Sequence, residues 1–153
     1  MLSVMVIFVD TNLIIDFLTA REPYYQASSE IINLCAKKEI IGYMAFHSIS
    51  NLWYILRKVP EPKRRQWMRD ICKCLQVVGA SHDEVVKAID MEEFKDFEDC
   101  LQDRCAEGIG ANYIITRNID DFSNSKIQAI LPEIFLEQLK CSQNPAGGCG
   151  EGE

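Results

Sequence analysis

The chain has 153 residues, 48% hydrophobic and 25% charged, with 16 Lys+Arg against 23 Asp+Glu and a formal net charge of −7 at pH 7. This is the composition of one globular domain with its own core, and it excludes a collagenous, fibrous or mostly disordered chain. The acidity excludes a protein that coats nucleic acid through bulk electrostatics, and no apolar run approaches the roughly 20 residues that a bilayer-crossing helix needs.

Residues 4–9 form a continuous apolar run, the pattern of a strand buried on both faces, which ends at Asp10-Thr11-Asn12. Leu13, Ile14, Phe17 and Leu18 then follow helical spacing. Residues 24–38 predict a second helix, with Ile31, Ile32, Leu34 and Cys35 on its apolar side. Residues 40–46 predict a shorter strand interrupted by Gly42, and Ser48 or Ser50 is placed to cap the helix that follows and stops before Pro60. Residues 63–75 read as a helix and 76–79 as a short strand, after which Ser81-x-x-Glu84 is a capping box opening a helix over 83–91. Residues 93–108 predict another helix, with Gly108 and Gly110 as stop signals. Residues 113–116 are a further buried strand, followed by the polar turn 117–121 and a last short helix over 132–139. This alternation predicts an α/β fold, a three-layer α/β/α sandwich with a mostly parallel central sheet. The domain is expected over residues 1–140, with the Gly-rich, polar segment 141–153 as a disordered tail.

The apolar start of the chain lacks a basic flank and reads poorly as a signal peptide. Seven cysteines, an odd count without a secretory signal, then read as reduced thiols of a cytoplasmic protein. Cys72-x-Cys74 and Cys100-x4-Cys105 do not have paired zinc-ligand spacing, so these thiols read as core or incidental.

Ligands of open α/β sheets bind where strands deliver their C-terminal ends. Both buried runs end in acid-bearing turns, the first at Asp10 and the later one at Asn118, Asp120 and Asp121. Helix capping explains either turn alone; both at one sheet edge favour a site. A third acidic source is the helix carrying Asp96, Asp99 and Asp103, whose i, i+3 and i+4 spacing puts them on roughly one face. A solvated acidic stripe is the bland alternative, but Phe97, Cys100 and Leu101 indicate that part of this helix is buried. Carboxylates converging without His or Cys suit a hard cation with oxygen ligands, Mg²⁺ or Mn²⁺, and the chemistry implied is phosphodiester hydrolysis.

At this point the residues match a family. Val6-Ile7-Phe8-Val9-Asp10-Thr11-Asn12-Leu13-Ile14-Ile15-Asp16 resembles the opening of PIN-domain proteins. Asp96-Phe97-Glu98-Asp99-Cys100-Leu101-Gln102, and then the stretch from Ala111 through Thr116-Arg117-Asn118-Ile119-Asp120-Asp121-Phe122, resemble the family's later acidic motifs in order and spacing. The resemblance implies a PIN-like fold and a metal-dependent endoribonuclease, often the VapC-type toxin of a toxin–antitoxin pair. It implies Asp10, Asp99 and Asp121 as metal carboxylates, with Thr116 and Asn118 as polar supports and Asn12 in the first turn beside them. RNA as substrate, a protein antitoxin as partner and a homodimer follow from the same resemblance.

One departure stands out. The family usually has a Glu at the start of the helix after the second strand, where this chain has Asn51. An amide oxygen can still coordinate, but it removes one unit of negative charge, and Asp96 is the candidate to compensate. The alternative function is therefore a catalytically weakened PIN-like module that binds RNA or a protein partner. A phospho-accepting receiver domain also places aspartates at strand ends, but here Thr11-Asn12 follows Asp10 and no Lys follows Thr116. Arg57, Lys58, Lys63, Arg64, Arg65 and Arg69 form the densest basic cluster, read as a solvated helix face or, alternatively, a phosphate track. Arg21 and Arg117 lie nearer the acids. Trp53, Tyr54 and Trp67 suit either a partner groove or plain core packing.

Overall fold

A computed structural model describes residues 4–143. Five strands, β1 (Val6–Val9), β2 (Ile41–Ala45), β3 (Leu75–Val78), β4 (Tyr113–Ile115) and β5 (Gln128–Ile130), form one sheet in the order β3-β2-β1-β4-β5. All four pairings are parallel. The helices are α1 (Thr11–Leu18), α2 (Tyr25–Ala36), α3 (Phe46–Ile55), α4 (Glu61–Cys74), α5 (His82–Ile89), α6 (Phe97–Gly108) and α7 (Pro132–Gln143), with a 3₁₀ turn over Ile119–Phe122.

The central strand shows why its sequence is apolar throughout. Ile7 and Val9 join a core cluster with Leu13 and Ile14 of α1, Ile31 and Ile32 of α2, Ile71 of α4 and Phe135 of α7. Phe8 points the other way, into Ala45, Cys105, Ala106, Ile114 and Phe122. Successive strand residues face opposite sides of the sheet, so both faces are covered by helices and every position is apolar. The expected three-layer α/β/α sandwich is the observed one. Burial of Phe8, Ile7 and Val9, each with no exposed surface, stabilises this layer by about 1.5–3 kcal/mol per large side chain.

Several boundaries differ from the sequence expectation, each for a physical reason. The helix after β2 begins at Phe46 with Ala45 as its N-cap, so neither Ser48 nor Ser50 caps it. Ser48 is instead fully buried and shares a hydrogen bond of 2.6 Å with the Thr11 hydroxyl. The expected helix over 93–108 starts only at Phe97, because Asp96 occupies the N-cap and its carboxylate accepts from the Asp99 N–H at 3.1 Å. The Ser81 cap is as expected, with Ser81 Oγ accepting from the Glu84 N–H. β5 was not expected: its three residues are too short for a recognisable alternation, and they pair only with β4. Helix α7 runs to Gln143, three residues into the expected tail; the rest of that tail lies outside the described residues. Cys35, Cys72, Cys74, Cys100 and Cys105 are free thiols, whereas Cys141 is disulfide-bonded, against the expectation of reduced thiols throughout.

Two glycines and one asparagine set the geometry of the sheet. Gly110 adopts φ +62° after α6, its N–H donating to Glu107 and that of Ala111 to Ala106, a Schellman stop that turns the chain into β4. Asn112 then grips Val6 from both sides, its Oδ1 accepting from the Val6 N–H and its own N–H donating to the Val6 carbonyl, each at 2.8 Å. Gly42 does not interrupt β2. A Cβ there would lie 2.5 Å from a Leu75 methyl and 2.6 Å from the Cys35 sulfur, so only glycine lets α2 and β3 pack this closely. Replacing Gly42 by Ala overpacks a buried site and should cost about 1–3 kcal/mol, read as a lower urea midpoint with an unchanged slope; an unchanged midpoint would contradict this packing.

Candidate functional site

The chain runs from β1 through β2 to β3 on one side and then crosses to β4 and β5 on the other, so the sheet's switch point lies at the C-terminal ends of β1 and β4. The Asp10 N–H donates to the Ile115 carbonyl at 3.0 Å, locking the two strand ends together. Asp10 is only 3% exposed. It occupies the N-cap position of α1, where the Asn12 N–H acts on its carboxylate without a well-formed capping bond. Its two oxygens accept from Thr116 Oγ1 at 2.8 Å and Gln102 Nε2 at 3.1 Å.

Gln102 ties three elements around this carboxylate. Its amide donates to Asp10, while its Oε1 accepts from the Thr11 N–H at 3.2 Å and from the Thr11 hydroxyl at 3.4 Å. Thr11 in turn meets Ser48 of α3. The starts of α1 and α3 and the middle of α6 are thus held together by buried, mutually satisfied polar groups. Neither Gln102 nor Ser48 was marked as a site residue from sequence. The available signal was a Gln and a Ser on otherwise apolar helix faces.

A cleft of about 420 Å³ opens beside Asp10. Asp10, Asn12, Asn51, Asp96, Glu98, Asp99, Gln102 and Asp121 line it, with Tyr54 and Ile55 at the edge. A second cleft on the other side of Asp96, Asp99 and Asp121 shares these three acids. Of the expected site residues, Asp10, Asp99, Asp121, Asn12, Asn51 and Asp96 therefore meet at one place. Thr116 stands behind Asp10 as its hydrogen-bond donor, and Asn118 reaches the site only through its N–H, which donates to Thr116 Oγ1 at 3.0 Å. Asp103, expected on the same face as Asp96 and Asp99, is elsewhere: it is fully buried, paired with Arg104 at 2.8 Å and hydrogen-bonded by Ser125. Arg104 also pairs with Glu84 of α5 and with Glu107 of its own helix, bracing α5 against α6. Arg117 does not face the acids either; it pairs with the buried Asp16 at 2.9 Å and stacks over Tyr24.

One cation, Lys95, lines the second cleft with Asp96, Asp99 and Asp121. No Lys or Arg lines the cleft around Asp10. Burial pushes the Asp10 carboxyl above its usual range, against the lowering effect of its Thr116 and Gln102 bonds, and the Asp121 charge adds to the rise. Asp99 is pushed up to about 7, first by burial and then by the charges of Asp10, Asp96, Asp121 and Glu98. Among the described residues, no three His, Cys, Asp or Glu side chains stand close enough to grip a metal as they are. The donor set, carboxylates and amides around uncompensated negative charge, nevertheless fits a hard divalent cation that keeps part of its water shell.

Because the folded value for Asp99 lies above its unfolded 3.8, the folded state holds the proton more tightly. That contribution to stability is complete below about pH 4 and is lost as pH rises through about 7. In chelator, Asp99→Asn should therefore melt above the wild type near pH 8 and lose most of that advantage near pH 5. Equal melting at both pH values would contradict the electrostatic reading.

Comparison with known proteins agrees with this architecture. No curated protein matches the chain. A chain of VapBC2 from Rickettsia felis, solved bound to a DNA fragment from its promoter, superimposes with a TM-score of 0.63 at 16% identity, covering 83% of this chain and 98% of that one. PAE2754 from Pyrobaculum aerophilum superimposes with a TM-score of 0.60 at 18% identity, covering 90% and 96%. At such identities the likeness is one of fold. The family model for the PIN domain matches residues 6–120, which span β1 through the first half of the 3₁₀ turn and include Asp10, Asp96 and Asp99 but stop just before Asp121. The chain belongs to the PIN-domain family.

Proposed function

We propose that the protein is a metal-dependent endoribonuclease that hydrolyses RNA phosphodiesters and acts as the toxin of a toxin–antitoxin pair. The observation that carries this reading is the convergence of Asp10, Asp99 and Asp121 on one cleft with no Lys or Arg among its lining residues. Mg²⁺ or Mn²⁺ would be held by these three carboxylates, and when bound it would polarise a phosphoryl oxygen and make water a better nucleophile. The chain's own residues do the remaining work. Thr116 and Gln102 fix both oxygens of Asp10, so that carboxylate meets the cleft in one orientation. Asp99, with its raised proton affinity, releases a proton when a cation or a rise in pH favours its charged form. In hydrolysis the water oxygen bonds to phosphorus and gives up a proton, the phosphorus–oxygen bond to the leaving RNA strand breaks, and the oxygen released takes up a proton.

RNA contact is supported by the basic residues around α3 and α4. Arg57 stacks over Tyr54 at 4.3 Å, and Tyr54 lines the cleft; Arg64 and Arg65 stack on Trp53 behind it. These cations lie beside the acids rather than among them, suited to phosphates flanking the scissile one. A protein antitoxin is supported by the fold likeness to a chain of VapBC2 and by the exposed apolar residues that line the cleft, Tyr54 and Ile55. A homodimer and a cytoplasmic location complete the proposal. No helix among the described residues is long and apolar enough to cross a membrane.

Asn51, where a Glu is usual, favours a second reading: a module that binds RNA or a partner without turning over. Incubating the protein with single-stranded RNA separates the two. Cleavage in Mn²⁺, its loss in chelator and a drop of at least about a hundredfold in Asp10→Asn are expected, since outer-shell changes alone cost 10–100-fold in metal proteins. RNA that is bound but never cut at any Mn²⁺ concentration would favour the binding module. Cleavage undiminished in Asp10→Asn would remove the enzyme reading.

A further inference from the structure

Position 51 leaves a charge unaccounted for, and the structure offers a specific replacement. Asn51 does not point idly into the cleft: its Nδ2 donates to Glu98 Oε1 at 2.6 Å. Glu98 comes from a different element, the first turn of α6, one residue before Asp99. Both side chains line the same cleft as Asp10, Asp99 and Asp121. His47, one turn before Asn51 on the same face of α3, also lies against Glu98, whose charge and backbone act on its imidazole. Two α3 side chains four residues apart thus engage one acid at the start of α6.

We infer that Glu98, delivered from α6 and oriented by Asn51, supplies the carboxylate that position 51 lacks, so that the cleft keeps its acidic donors with one of them on a different helix. This rests on the proposed metal-dependent reading of the cleft. Asp96, the other candidate to compensate, is already engaged as the N-cap of α6, accepting from the Asp99 N–H, whereas Glu98 is oriented by an amide that adds no positive charge. An asparagine at position 51 is what this arrangement requires: its amide donates to a neighbouring carboxylate, while a glutamate there would repel it. Asn51 is then a positioning residue, and Glu98 the group that reaches the cation.

Calorimetric titration of the full chain with Mn²⁺, with thermal melting in chelator to confirm folding of each variant, tests this without recourse to activity. Glu98 is exposed, so Glu98→Gln should fold as the wild type does. It should weaken Mn²⁺ binding by about 10–100-fold, and Asn51→Ala should weaken it by at least several-fold. The exchange Asn51→Glu with Glu98→Gln, which moves the carboxylate to α3 and keeps an amide partner, should restore binding to within about threefold of the wild type. Wild-type affinity in Glu98→Gln, while Asp99→Asn loses binding, would overturn this inference and leave the metal site standing. Absence of Mn²⁺ binding in the wild type would overturn both.

Discussion

A buried carboxylate without a cationic partner is the constraint on which the rest of this structure depends. Asp10 ends the central strand, nearly inaccessible to solvent, and its neighbours are hydroxyls, amides and further acids. Burying an ionised carboxylate costs several kcal/mol unless something compensates. Thr116 and Gln102 offset part of that cost, but Asp99, Asp121 and Glu98 add to the negative field. A fold that gives up stability in this way at the switch point of a parallel sheet suits the positive ligand proposed above, and the three-layer frame holds these acids together against their mutual repulsion.

The frame was legible because it follows from simple periodicities. Residues 4–9 and 113–116 are apolar without alternation, which only a doubly covered strand tolerates, and in the structure Ile7 and Val9 enter one core while Phe8 enters the other. The acids at the ends of those runs could be placed at one edge from topology alone. What stayed hidden depends on contacts distant in sequence. Ser48 has the chemistry of a cap and the burial of a core residue, and only its proximity to Thr11, 37 positions away, separates the two roles. Gln102 is joined to Asp10 across 92 positions. No local pattern encodes either bond.

The acidic segment before α6 shows the limit of spacing arguments. Asp96, Asp99 and Asp103 fit one helical face on paper, but the helix starts after Asp96, and Asp103 turns into a buried pair with Arg104. One run of similar residues thus divides into a cap, a cleft acid and a core ion pair. Glu98, between the first two, belongs to a recognisable acidic motif but has no role legible there, because its partner Asn51 lies 47 positions away. The position that looked like a defect and the acid that looked incidental form one contact.

The division of labour between charges follows the same logic. The cleft around Asp10 is lined by acids with no Lys or Arg among them, while Arg57 after α3 and the cations of α4 lie over the rings of Tyr54, Trp53 and Trp67. The buried cation Arg104 is paired through its two terminal nitrogens with three carboxylates, and Arg117 is held by Asp16, so neither neutralises the cleft. The excess of negative charge around Asp10 suits the cation proposed above. The most direct measurement is anomalous scattering from a crystal soaked in Mn²⁺: a peak within coordination distance of Asp10 and Asp99 is the result expected, and a cleft without a peak beside an unmoved Asp10 would contradict the account.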